Sequence, residues 1–119
     1  MTFGGVDLES ELRRLIGVEL SSVTFVRDYV QIHFEEVALT AFNPITVTTN
    51  TSWRSGSAGF RDALIERING RLVAVAVSTE ALALDLHDGA RIEVSLREAD
   101  YVGPEALTFV SAEGRIFVA

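Results

Sequence analysis

Leu12-Arg13-Arg14-Leu15-Ile16-Gly17 and Ile65-Glu66-Arg67-Ile68-Asn69-Gly70 carry one pattern, apolar-x-Arg-apolar-x-Gly, twice, 53 residues apart. Working outward from the first copy, Leu8, Leu12, Leu15 and Ile16 recur at helical spacing, with Asp7 as N-cap and Gly17 as stop, which predicts a helix over 8–16. Around the second copy, Phe60, Leu64, Ile65 and Ile68 form the same stripe, with Ser57 as cap and Asn69-Gly70 as stop, and predict a helix over 58–69. After each glycine comes a strand, over 18–26 and over 71–78, and then an alternating strand, over 29–35 and over 81–87. In the alternating strands Val30, Ile32 and Phe34 lie over Leu82, Leu84 and Leu86 at an offset of 52. The one-residue change from 53 is expected at Ser21-Ser22 in the first unit, where a bulge would bring Val23 and Phe25 into phase with Val75 and Val77.

A third strand follows each, over 37–42 and over 90–96, with Asp88-Gly89 as a hairpin turn and with Val37, Leu39 and Ala41 matching Ala90, Ile92 and Val94 as inward residues. A fourth is expected after Asn43-Pro44, over 45–49, and after Gly103-Pro104, over 107–111, and the second unit adds a last hairpin into 115–118. The reading is an α+β chain, mostly β with two short helices. It consists of two pseudo-symmetric helix-plus-antiparallel-strand units, 7–54 and 57–119, packed as a single domain over 1–119. Units of this size sit near the lower limit for stability alone, so each is expected to depend on the other. Residues 49–59, polar and rich in Gly and Ser, read as the linker between them. Strands 72–77 and 81–86 are apolar or Ala on both faces, so their second face is expected to be covered by a helix or a second subunit.

Composition narrows the function. The 119 residues carry ten Lys+Arg, all of them Arg, against seventeen Asp+Glu, for a net charge of −7. That charge disfavours a nucleic-acid or anionic-membrane binder, and the deficit is shared by both halves. Missing Lys in an Ala- and Val-rich chain reads as the codon bias of a GC-rich genome. With no Cys, disulfides, thiolate metal sites and a cysteine nucleophile are excluded. The opening residues lack a basic and apolar leader pattern, and the longest apolar run, 72–77, is far short of the roughly 20 residues that span a bilayer. A cytoplasmic location is the expectation.

Four sets of residues could carry chemistry. His33 and Glu35 on one alternating strand, and Asp85 and His87 on the other, fall outward at equivalent positions; if the pseudo-twofold axis brought the strands together they would offer nitrogen and oxygen ligands to a divalent ion. A solvated sheet face explains the same residues. Gly56-Ser57-Ala58-Gly59, flanked by Arg54 and Arg61, offers backbone N–H groups and guanidinium groups to a phosphate or carboxylate; the alternative is a flexible linker with an N-cap serine. Trp53, the only Trp, is either an interface anchor or a lid on the open end of the core. The stretch 97–105, with Tyr101 among acidic residues, breaks the repeat and either presents a surface to a partner or caps an edge strand. Glu35-Glu36 are adjacent and point to opposite faces, so they read as a polar turn. No P-loop, nucleophile elbow, metalloprotease helix or dinucleotide fingerprint is present.

Ile68-Asn69-Gly70-Arg71-Leu72-Val73, with 82–86, Asp88-Gly89 and 92–94, resembles small bacterial domains of unknown function, over about half the chain. That resemblance brings no catalytic residues. In size and acidity the chain also looks like the immunity partners of bacterial toxins. The expectation is a non-enzymatic interaction or binding module, acting as a homo-oligomer or with a protein partner and without a required cofactor. The alternative is a small-ligand or metal-binding protein, hydrolase-like, using the outward strand residues or the 54–61 loop.

Overall fold

The computed structural model describes residues 5–119, so the opening residues read above for a leader lie partly outside it. Along the chain run α1 (Gly5–Arg13), β1 (Ser22–Val26), β2 (Tyr29–Phe34), β3 (Val37–Ala41), β4 (Ile45–Thr48), β5 (Ser52–Arg54), α2 (Phe60–Ile65), β6 (Leu72–Val77), β7 (Ala81–Leu86) and β8 (Arg91–Ser95). A single 3₁₀ turn (Glu98–Asp100), β9 (Leu107–Val110) and β10 (Ile116–Val118) complete it. The chain is α+β and mostly β, and its described residues form ten strands in two antiparallel sheets and two short helices.

One sheet has the order β1-β2-β3-β9-β10 and the other β5-β4-β8-β7-β6. Each three-stranded meander is therefore completed by the last two strands of the other half. Leu39 on β3 faces Phe109 on β9, and Ile92 on β8 faces Val47 on β4. The two crossings are equivalent in their bonding: Phe42 N–H donates to the Ala106 carbonyl at 2.8 Å, and Ser95 N–H donates to the Pro44 carbonyl at 3.0 Å. Buried residues of both sheets and both helices form one hydrophobic cluster, with Phe34, Phe109 and Phe117 among its largest fully buried side chains. Val37, Leu39 and Ala41 are buried, as are Ala90, Ile92 and Val94, so period-2 alternation identified the inward set of β3 and β8.

The strand offsets between the two halves are the expected ones, whereas the helices are aligned one residue away from the expected register. Ser22 pairs with His33 and Ala74 with Asp85, an offset of 52 that already holds in the helices, where buried Leu8 and Leu12 correspond to buried Phe60 and Leu64. Ile65, aligned above with Leu12, is 46% exposed. The offset becomes 53 only at the β2–β3 and β7–β8 hairpins. Glu35-Glu36 closes the first, and His87-Asp88-Gly89 closes the second, with one residue more. Glu35 takes a φ of 57° and Gly89 one of 88°, so both turns use the left-handed region. The bulge lies between Leu72 and Ala74 on β6.

The helix ends differ too. α1 covers Gly5–Arg13, so Asp7, expected just before the helix, lies within it. α2 is capped by Gly59 with no side-chain bond, because the Ser57 hydroxyl donates to the Arg54 carbonyl at 2.6 Å. Asn69 takes the left-handed position after the second helix, at φ 77°. Gly70 is required for a different reason: a Cβ there would stand 2.8 Å from the Arg67 carbonyl oxygen and 2.9 Å from Leu86. Residues 52–54, expected inside a linker, form β5 and pair with β4. α1 packs along β6. The Glu9 carboxylate accepts the Val77 N–H at 2.9 Å and so occupies part of that exposed sheet edge.

Candidate functional site

The two outer faces are unlike in charge. On the first sheet the outward positions are Ser22, Thr24 and Val26 on β1, Tyr29, Gln31 and His33 on β2, and Ala38 and Thr40 on β3. Thr108 and Val110 on β9 and Ile116 and Val118 on β10 complete the face. None is Asp, Glu or Arg, although charged residues make up 23% of the chain. At its centre the Gln31 side-chain amide donates to the Thr40 hydroxyl at 3.3 Å. The outer face of the second sheet carries Arg54, Asp85, Arg91 and Glu93. There Arg91 forms two bonds to Asp85, at 2.6 and 3.1 Å. That hydrogen bond first, and the carboxylate charge second, hold the Arg91 guanidinium above its usual range.

The four candidate metal ligands do not converge. His33 is on β2 and Asp85 on β7, in different sheets whose outer faces point away from each other, because the exchanged strands join each meander to its own sheet. Glu35 and His87 lie in the hairpin turns rather than on strands, and the His87 Nδ1 accepts the Arg71 N–H at 3.0 Å. Among the described residues no group of three or more His, Asp or Glu side chains stands close enough to hold a metal ion.

The loop set divides. Gly56, Ser57, Gly59 and Arg61 line a cleft of about 720 Å³ at one end of the sandwich, whose other walls are the β1–β2 turn and the segment where the chain leaves β3 for β4. Arg54 turns away from it and binds Asp100 at 2.9 Å. Two aromatic pairs stand in the cleft wall, Phe25 against Phe60 at 6.5 Å and Tyr29 against Phe42 at 5.9 Å, both edge-on. Arg61 places its guanidinium 5.3 Å from the centre of the Phe25 ring. Asn43, 3% exposed, donates its side-chain amide to the Ser95 carbonyl at 2.9 Å, while its Oδ1 has no donor among the described residues. Neither Arg27 nor Asn43 was singled out in the sequence. Asn43-Pro44 read only as a turn before a strand, and Arg27 gains meaning only beside Arg61, which is distant in the chain.

Trp53 points inward from the middle of β5, pairs with Val47 and packs against the core while remaining half-buried. Phe117, opposite Phe109 on β10, is its counterpart in the other sheet. The 97–105 segment is tied down over the second sheet: Asp100 accepts from Arg54 and from the Ser95 hydroxyl at 2.5 Å, and Arg97 pairs with Glu80 at 3.2 Å. The Ser95 bond, with help from Arg54 and Arg97 and against some desolvation, holds the Asp100 carboxyl below the usual carboxylate range. Tyr101, half-buried, lines a second apolar recess with Leu8 and Leu96.

The chain matches no protein-family model, no curated protein and no solved structure. Among the described residues no helix is long and apolar enough to cross a membrane.

Proposed function

We propose that this protein is an interaction module that self-associates through the outer face of its first sheet. The observation that supports the reading is the absence of Asp, Glu and Arg from the outward positions of all five strands of that sheet. Dehydrating Val, Ile and Ala is favourable and the Thr, Ser and Gln groups can hydrogen-bond across a contact, whereas burying an unpaired charge costs several kcal/mol, roughly, per ion. Two copies carrying −7 each repel one another in general. A twofold contact sets a patch against itself, so any charge within it meets its like. The uncharged face is the surface on which two identical acidic chains meet without that penalty.

Sedimentation velocity over a concentration series tests the proposal. The expected result is a dimer that dissociates on dilution, and conversion to monomer by Thr40→Glu, which places a carboxylate on the central strand. Thr48→Glu, the same change on the outer face of the second sheet, leaves the dimer intact. A monomer at all concentrations, or a dimer indifferent to Thr40→Glu, overturns the reading.

A further inference from the structure

The sequence Arg-Asp occurs at 27–28 and at 61–62, and the fold brings both copies to one cleft. Arg27-Asp28 is the turn between β1 and β2, and Arg61-Asp62 is the first turn of α2. Arg13, Arg14, Arg54, Arg67, Arg91 and Arg97 each hold a carboxylate. Among the described residues Arg27, Asp28, Arg61 and Asp62 hold no ion-pair partner, not even one another. Two positive and two negative groups therefore stand unpaired at the rim of a cleft walled by aromatic rings. Stacking on Phe25 leaves the edge of the Arg61 guanidinium, with its N–H fork, available to a carboxylate.

We propose that this cleft binds a zwitterionic α-amino acid with an aromatic side chain. Its carboxylate is the partner for Arg27 and Arg61, its ammonium group the partner for Asp28 and Asp62, and its ring packs against Phe25, on the side of the first sheet where Phe60 and Arg61 stand. A simple anion would satisfy the arginines but would be repelled by the two carboxylates; a simple cation meets the reverse. Only a ligand with both charges matches the four groups together. The volume, about 720 Å³, is within the range of small-molecule sites.

An NMR titration of backbone amides with L-phenylalanine tests this, run in parallel with N-acetyl-L-phenylalanine, L-phenylalanine amide and inorganic phosphate. The expected result is saturable movement of the Tyr29, Phe42, Ser57 and Arg61 amides with L-phenylalanine. Affinity falls about tenfold or more when either charge is blocked, as the loss of a charge-assisted bond implies. Arg61→Gln and Asp62→Asn, both exposed, each weaken binding to a similar degree with the remaining spectrum unchanged. Repeating the titration on Thr40→Glu reads the cleft apart from self-association. No saturation by about 10 mM, equal binding of either blocked derivative, or phosphate binding at the same amides with equal strength overturns the proposal.

Discussion

Gly17 and Asn69 occupy equivalent positions in the two halves. Each has a left-handed backbone, at φ 96° and 77°, and each donates its N–H across to the other half, Gly17 to the Leu72 carbonyl and Asn69 to the Leu20 carbonyl, both at 2.8 Å. The bonds from Leu72 N–H to the Val18 carbonyl and from Leu20 N–H to the Gly70 carbonyl complete this reciprocal set around the Glu19–Arg71 bridge. The two meanders are thus stitched together where each helix hands over to its first strand.

Gly17→Ala and Asn69→Ala are each expected to cost about 1–2 kcal/mol, because alanine resists the left-handed region that these positions require. Asn69→Gly stays within about 0.5 kcal/mol of the parent, since glycine adopts that region freely. Urea unfolding midpoints check the order; an Asn69→Ala protein as stable as the parent would remove the requirement.

Leu64 and Ile65 separate the two possible helix registers. Leu64→Ala removes a fully buried side chain and is expected to cost about 2–5 kcal/mol. Ile65→Ala, on an exposed position, changes stability by less than about 0.5 kcal/mol. Chemical denaturation of both variants reads the difference directly, and equal losses would contradict the register in which Leu64 matches Leu12.

Asp100 gives a pH dependence. Its carboxyl lies below the usual range in the folded chain, first through the Ser95 hydroxyl and then through Arg54 and Arg97. On acidification the unfolded chain therefore takes up this proton first, so the contribution is intact at neutral pH and is lost as the pH falls from about 4 through the folded value. Asp100→Asn should be less stable than the parent at neutral pH and approach it in strong acid. Ser95→Ala should move the Asp100 carboxyl titration up toward its ordinary value, measured by carboxyl-carbon NMR. An unmoved titration in Ser95→Ala would show that the hydroxyl is not the principal cause.

Gly59 and Gly56 test the seat of Trp53. Both have positive φ, at 85° and 87°, but only at Gly59 would a Cβ meet the indole, 3.1 Å from Nε1. Gly59→Ala is expected to lose about 1–2 kcal/mol and to shift the tryptophan emission. Gly56→Ala carries the backbone strain alone and leaves the emission unchanged. Identical spectra for the two variants would exclude the contact.

The exchanged strands make each half incomplete. Expressed separately, residues 5–56 and residues 57–119 are expected to show no cooperative monomeric unfolding, since β4 and β5 bond to β8 and β9 and β10 extend from β3. A monomeric half with a sharp urea transition would contradict this.

Alternation at period two is a local property, so the three-stranded meanders, the Asp88-Gly89 turn and the inward triplets of β3 and β8 could be read along the chain. Helix existence was legible for the same reason, through the spacing of Leu8 and Leu12 and of Phe60 and Leu64, whereas the alignment of the helices was not: an exposed Ile65 and a buried Leu64 look alike in sequence. β5 escaped notice because three residues with one inward Trp, inside a polar run, carry too little periodicity. Only tertiary structure decided that β4 and β5 leave their own sheet, since Asn43-Pro44 specifies a turn but not the sheet it delivers the chain to. That exchange sends His33 and Asp85 to opposite faces and brings Arg27 and Arg61, far apart in the chain, to one cleft. Spacing along the sequence fixes which side chains share a face of one element; which elements share a wall is fixed by the packing of the whole core.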